Sequence, residues 1–175
     1  LRQYHDLFIE GNNQGQTFFY TSWLDIDKSN PQPWISHEKN TEGVWECVAS
    51  KVNLSLLAET RVDRIKILPA GGALVSLVEN AIAGNIRGVS GSTEERLNFI
   101  FSDNVHLTNL GQYFVASVVY ASIYQKTPSG ASPPSSSGLA ESTAVDLQNL
   151  AWSYVSGYYT EAETSGEPLM SQCRQ

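Results

Sequence analysis

The sharpest chemical signal in the chain is four consecutive residues, Asp103-Asn104-Val105-His106. Within one turn, residues three apart can bring their side chains together. The carboxylate then accepts a hydrogen bond from one imidazole nitrogen and fixes the tautomer. The other nitrogen is left free to take a proton from a serine hydroxyl. In that arrangement His106 is a general base and Asp103 its orienting carboxylate. The bland reading is a capped turn with an ordinary polar histidine, and the bare spacing favours it. A helix predicted to start at about Thr108 sharpens the requirement, because a helix N-terminus disfavours an imidazolium. A buried carboxylate is expected to offset that.

Other residues offer weaker chemistry. Gly88-Val89-Ser90-Gly91 holds a serine between glycines, but without the strand–turn–helix setting of a nucleophile elbow, and reads as flexible loop. Asp25, Asp27, His37 and Glu38 have metal-ligating side chains, yet nothing fixes their geometry; they read as a solvated loop, and neither a metal nor a cofactor is expected. Trp23 and Trp34 are better candidates for contact with a substrate. They lie at or beyond the C-terminal end of a predicted strand, where open α/β sheets place their ligands. For Trp23, core packing is the competing reading. Asn53-Leu54-Ser55 has the letters of a glycosylation sequon but falls in a predicted helix.

The elements that must position these residues follow from periodicity. Residues 1–8 read as a helix, and Gly11-Asn12-Asn13-Gln14-Gly15 as a turn. Residues 17–23, β-branched and aromatic, read as a buried strand. A long polar loop is expected over 24–43. Trp45, Val48, Ala49, Val52 and Leu56 then recur at helical spacing. Residues 64–69 read as a second strand and 73–83 as a second helix ended by Gly84. A Gly/Ser loop over 84–96 precedes the Asp103–His106 block. The helix over 108–124 is apolar nearly all round, which predicts burial on several sides. Residues 128–138 read as a Pro/Ser/Gly linker, 139–159 as an amphipathic helix docked back on the domain, and 160–175 as a tail. Strand and helix alternate in the parallel α/β pattern, with both strands expected to be buried on both faces.

Residues 103–111, Asp-Asn-Val-His-Leu-Thr-Asn-Leu-Gly, running into Gln112-Tyr113-Phe114-Val115-Ala116, resemble the last block of the SGNH (GDSL-type) hydrolases. Tyr20-Thr21-Ser22-Trp23 resembles that family's fourth strand end. Ile67-Leu68-Pro69-Ala70-Gly71 resembles its last strand, and Ala116 onward with Leu147-Gln148-Asn149-Leu150-Ala151-Trp152 the C-terminal end of some bacterial members. The resemblance covers most of residues 1–159. It implies a flavodoxin-like three-layer α/β/α sandwich with a parallel sheet, of which residues 1–127 form the C-terminal part. It also implies ester hydrolysis or acyl transfer by a Ser-His-Asp triad, with His106 as base and Asp103 as its partner. The family's G-D-S block, which supplies the nucleophile, has no counterpart here. Gly11-Asn12-Asn13 has the letters of the family's G-x-N block but sits where a simple turn is expected.

Bulk properties bound the alternatives. The chain has 175 residues, 41% hydrophobic and 17% charged, with a net charge of −7 and a pI near 4.9. It reads as a folded globular chain. Its acidity argues against nucleic-acid binding and against docking on an anionic membrane surface, and no run approaches the roughly 20 apolar residues of a membrane helix. Two predicted strands are too few for a covered parallel sheet, and the opening helix has no capping residue before it. The expected partner is therefore an N-terminal half of the same protein, and the resemblance implies a small-molecule or carbohydrate ester as substrate. The alternative is a non-catalytic carbohydrate- or partner-binding domain on the same fold. Cys47 and Cys173 are either two thiols or, in a secreted protein, one disulfide pinning the tail. Low lysine content and Ser/Thr/Asn-rich loops lean toward a secreted or periplasmic protein.

Overall fold

The computed structural model of the chain describes residues 1–164 and 173. Both predicted strands form and pair, the first ending at Tyr20 and not at the expected residue 23. β1 (Thr17–Tyr20) and β2 (Ile65–Leu68) run parallel, with Thr17 opposite Ile65 and Tyr20 opposite Leu68. Parallel neighbours need a crossover connection, and a 27-residue helix, α2 (Gln32–Ala58), supplies it. The long loop expected over 24–43 therefore ends at residue 31. Pro31 and Pro33 stand at the start of α2, where a missing N–H costs nothing. An inward face at Trp34, Ile35 and Glu38 continues to Ala49 and Leu56.

From β2 the chain passes through Pro69 into α3 (Ala70–Ala83), which buries Ala73, Leu74, Leu77, Val78 and Ala81. Gly84 ends it in the left-handed region, at φ 79°, a conformation that favours glycine. The expected Gly/Ser loop over 84–96 contains the start of a short helix, α4 (Thr93–Asn98). Ser92 and Glu95 form a capping box there, each side chain serving the other's backbone N–H. The helix expected over 108–124 is α5 (Asn109–Tyr124), capped by Thr108. A 3-10 turn at Ser135–Ser137 breaks the expected linker. α6 (Glu141–Thr164) packs on α5 and α3. Its Ala144, Leu147, Ala151 and Val155 are buried, so it docks back on the domain and runs a turn beyond the predicted 159. Beyond residue 164, only residue 173 of the expected tail lies among the described residues.

The two strands differ in their surroundings. Residues Thr17, Phe18 and Phe19 of β1 are half-buried and Tyr20 is exposed, whereas β2 buries Ile65, Ile67 and Leu68. The expectation that both are buried on both faces fails for β1, and it fails on β2 at Lys66, which is exposed. The outer edge of β2 is closed by side chains. Asn53 accepts from the Ile65 N–H at 2.8 Å and donates to its carbonyl at 3.0 Å, and the Tyr159 hydroxyl donates to the Ile67 carbonyl. On β1, the Thr21 N–H donates back to the Leu68 carbonyl at 3.0 Å. Backbone groups alternate sides along a strand, so those of Phe18 and Tyr20 point away from β2. Among the described residues no strand pairs with that edge. The fold is thus α/β with a two-stranded parallel sheet.

α1 (Arg2–Gly11) is fastened mainly by polar groups. His5 is fully buried, with Nδ1 2.9 Å from the Thr17 hydroxyl and Nε2 2.7 Å from the Asp63 carboxylate. Asp6 accepts from Arg2 and Arg61. Cys47 in α2 is bonded to Cys173 across 126 residues. Among the described residues no helix is long and apolar enough to cross a membrane.

Candidate active site

The Asp103–His106 block forms a closed turn between α4 and α5. Phe101 and Leu107 make an antiparallel bridge at its base, and the Ser102 N–H donates to the His106 carbonyl at 2.8 Å. Inside the turn the two oxygens of Asp103 divide the work. Oδ1 accepts the backbone N–H groups of Val105 and His106, each at 2.7 Å. Oδ2 lies 2.7 Å from Nδ1 of His106. One oxygen caps the turn, as the bland reading requires, and the other holds the imidazole, as the chemical reading requires.

This geometry has electrostatic consequences. The His106 N–H, then the Val105 N–H and the His106 imidazole, hold the Asp103 carboxyl well below the usual carboxylate range. Asp103 is therefore an anion, and a neutral His106 ring must place its Nδ1 proton toward it. Nε2 is then an acceptor, and it takes no hydrogen bond from any described residue. The arrangement can receive a proton at Nε2 and stabilise the resulting cation through Oδ2. The carboxylate expected to be buried is, however, 58% exposed, and the imidazole 77%. The turn projects from the surface, and Asp103 owes its charge to local N–H donors instead of to a buried pairing.

Two anchors hold the turn in place. The helix behind it is pinned through Thr108, whose N–H donates to the Ile100 carbonyl at 2.9 Å and whose hydroxyl donates to the Phe99 carbonyl. Gly111 permits that approach, since a Cβ there would lie 2.6 Å from the Ile100 carbonyl oxygen. On the other side lies the segment leaving β1. The Trp23 indole N–H donates to the Val105 carbonyl at 2.9 Å, and the Ile26 N–H to the Asn104 carbonyl at 2.8 Å.

Of the residues singled out from sequence, Asp103, His106 and Trp23 come together. Trp23 is half-buried, so it touches the core and still presents surface beside the turn. Trp34 does not join them on the surface. It is 5% exposed, packs edge-on against Phe101 and donates its indole N–H to the Leu24 carbonyl at 2.9 Å. Its edge reaches a recess of about 310 Å³ that also involves Asp25, Asp27 and His37. Asp27 is occupied in accepting from the backbone and hydroxyl of Ser29. Among the described residues no three His, Cys, Asp or Glu side chains converge to hold a metal ion. Glu38, assigned from sequence to a solvated loop, is a 5% exposed helical residue accepting from the Leu24 N–H. Its position four residues after Trp34 was the available signal.

No family model, curated protein or solved structure matches this chain.

Proposed function

We propose that Asp103 and His106 are the acid–base half of a Ser-His-Asp triad, and that the protein hydrolyses esters, or transfers their acyl groups, in the manner of the SGNH hydrolases. The observation that carries this reading is the 2.7 Å contact from Asp103 Oδ2 to His106 Nδ1, with Nε2 left free toward solvent. His106 takes the proton of an attacking serine and returns it to the leaving alcohol, while Asp103 holds the ring and its transient charge. The substrate is a small-molecule or carbohydrate ester, neutral or cationic in keeping with an acidic chain, and Trp23 lines its approach.

The serine is supplied by an N-terminal α/β half of the same protein, which completes a flavodoxin-like three-layer sandwich. The unequal sheet edges support this. Side chains close the outer edge of β2, while the Phe18 and Tyr20 backbone groups of β1 remain available to a further strand. Exposed edges of that kind invite pairing. The Cys47–Cys173 bond supports a secreted or periplasmic location, since disulfides persist in oxidising compartments.

The exposure of the pair favours one other reading, a non-catalytic carbohydrate- or partner-binding domain on the same fold. Labelling with a fluorophosphonate, with the adduct located by mass spectrometry, separates the two. The expected adduct is on a serine outside the 175 residues and disappears in His106→Ala. An adduct on Ser90 or another serine of this chain would refute the assignment of the nucleophile. Absence of any adduct on the protein with its upstream sequence restored would favour the binding domain.

A further inference from the structure

Glu38 is a carboxylate on α2, 5% exposed, with no cation paired to it among the described residues. Burying a charge is costly unless hydrogen bonds offset it, so its contacts indicate what it is for. Oε1 accepts the Leu24 N–H at 2.8 Å. The other carboxylate oxygen stands in the first turn of α3, 3.5 Å from where a Cβ on Gly71 would be, and a helix N-terminus favours negative charge there. One turn earlier on α2, Trp34 donates to the Leu24 carbonyl. Both backbone groups of Leu24 are thus held by side chains of the same helix. Leu24 lies between Trp23 and Ile26, the two residues that donate to the Val105 and Asn104 carbonyls of the Asp103–His106 turn. The Trp34 ring also packs on Phe101, at the base of that turn.

We propose that Glu38 is a positioning residue for His106, acting with Trp34 through Leu24. The carboxylate and the indole fix the Leu24 peptide. That peptide aims the Trp23 indole and the Ile26 N–H at the turn, and the turn in turn holds the imidazole with Nδ1 on Asp103. The inference concerns the geometry of the pair; it rests on the esterase reading only for the purpose that geometry serves. The first turns of α2, which the sequence presents as polar loop, become the support of the site. A half-restrained imidazole loses the tautomer that general-base catalysis needs, which is the reason for spending a buried carboxylate on one loop amide.

The test reads geometry directly, on the 175-residue chain, by nitrogen NMR of His106 and the Trp23 indole at about pH 8, where an ordinary imidazole is neutral. In the wild type the two His106 ring nitrogens should be well separated, with the proton on Nδ1. Glu38→Met removes the acceptor at similar volume. It should draw the two nitrogen signals toward the averaged positions of a free histidine and shift the Trp23 indole N–H toward its solvent-exposed value. Glu38→Gln keeps a carbonyl oxygen for Leu24 and should restore both. Trp34→Phe keeps the ring on Phe101 but removes the indole donor. It should produce the same averaging from the other side, and it decides the matter if Glu38→Met does not fold. A folded Glu38→Met or Trp34→Phe with His106 and Trp23 signals unchanged from wild type would overturn the proposal. In the protein bearing a serine nucleophile, Glu38→Met should lower kcat with KM unchanged. A protein with no esterase activity whose His106 tautomer still follows Glu38 would overturn the esterase reading and leave the positioning role standing.

Discussion

The two oxygens of Asp103 do different things, and that division is what makes a three-residue spacing chemically useful. Oδ1 is saturated by the Val105 and His106 N–H groups, so the carboxylate is charged and fixed before it meets the imidazole at Oδ2. Its folded pKa is depressed, so the stabilising contribution of its charge is present above the ordinary carboxylate value of about 3.9 and is lost only as pH falls through the lower folded value. A carbon NMR titration of the Asp103 carboxyl should therefore have its midpoint clearly below about 3.9. A midpoint at or above that value would mean the turn does not hold the anion. The bare spacing favoured an ordinary capped turn, and it was the resemblance of its surroundings that pointed to a paired histidine; the contact itself lay within reach of a sequence reading because a turn of three residues is local. Its exposure was not legible, because whether a carboxylate is covered depends on segments far away in the chain. Glu38 and Trp34 were misplaced for the same reason: their work is on Leu24, across a loop that returns to α2.

At the scale of elements, long apolar runs were read well and sparse ones were not. The helix over 108–124 matched α5 to within a residue, since a segment apolar all round leaves little ambiguity. The first three turns of α2 were taken for loop because Gln32, Ser36, Glu38, Lys39 and Asn40 outnumber the inward Trp34 and Ile35. Pro31 and Pro33 at the start of α2 and Ser92-Thr93-Glu94-Glu95 at that of α4 are helix-start signals that the two loop readings passed over. Gly111 ties an element to the site. Alanine there gains roughly 1 kcal/mol of helix propensity, but its Cβ would press on a backbone carbonyl that already accepts the Thr108 N–H. Overpacking of that kind costs roughly 1–3 kcal/mol. Because backbone cannot swing aside as a side-chain end can, the clash should win. Gly111→Ala is expected to lower urea-unfolding stability by about 1 kcal/mol, and a gain in stability would show that α5 can draw back from residue 100.

The whole molecule joins three kinds of restraint: a core shared by α3, α5 and α6, a polar network around His5, and one covalent bond. The Cys47–Cys173 bond encloses most of the chain, so its removal should be felt globally. Reduction is expected to lower stability by about 2–4 kcal/mol, measured by denaturant unfolding with and without reductant. No change, or native thiols that react with a maleimide before reduction, would contradict it. The pairing was one of two readings open in the sequence, since residues 126 apart have no local pattern to bring them together. The α/β class was legible from alternating elements, while the number of layers around β1 and β2 was not, because the open edge of β1 has no partner within the described residues. The same edge bears on the proposal that His106 is the base of a serine esterase completed by an N-terminal half. The most direct measurement is kcat/KM for p-nitrophenyl acetate, comparing the protein that includes its upstream sequence with the same protein carrying His106→Ala. A loss of roughly 100-fold or more is expected, with the isolated 175 residues inactive. Hydrolysis that survives His106→Ala unchanged would contradict it.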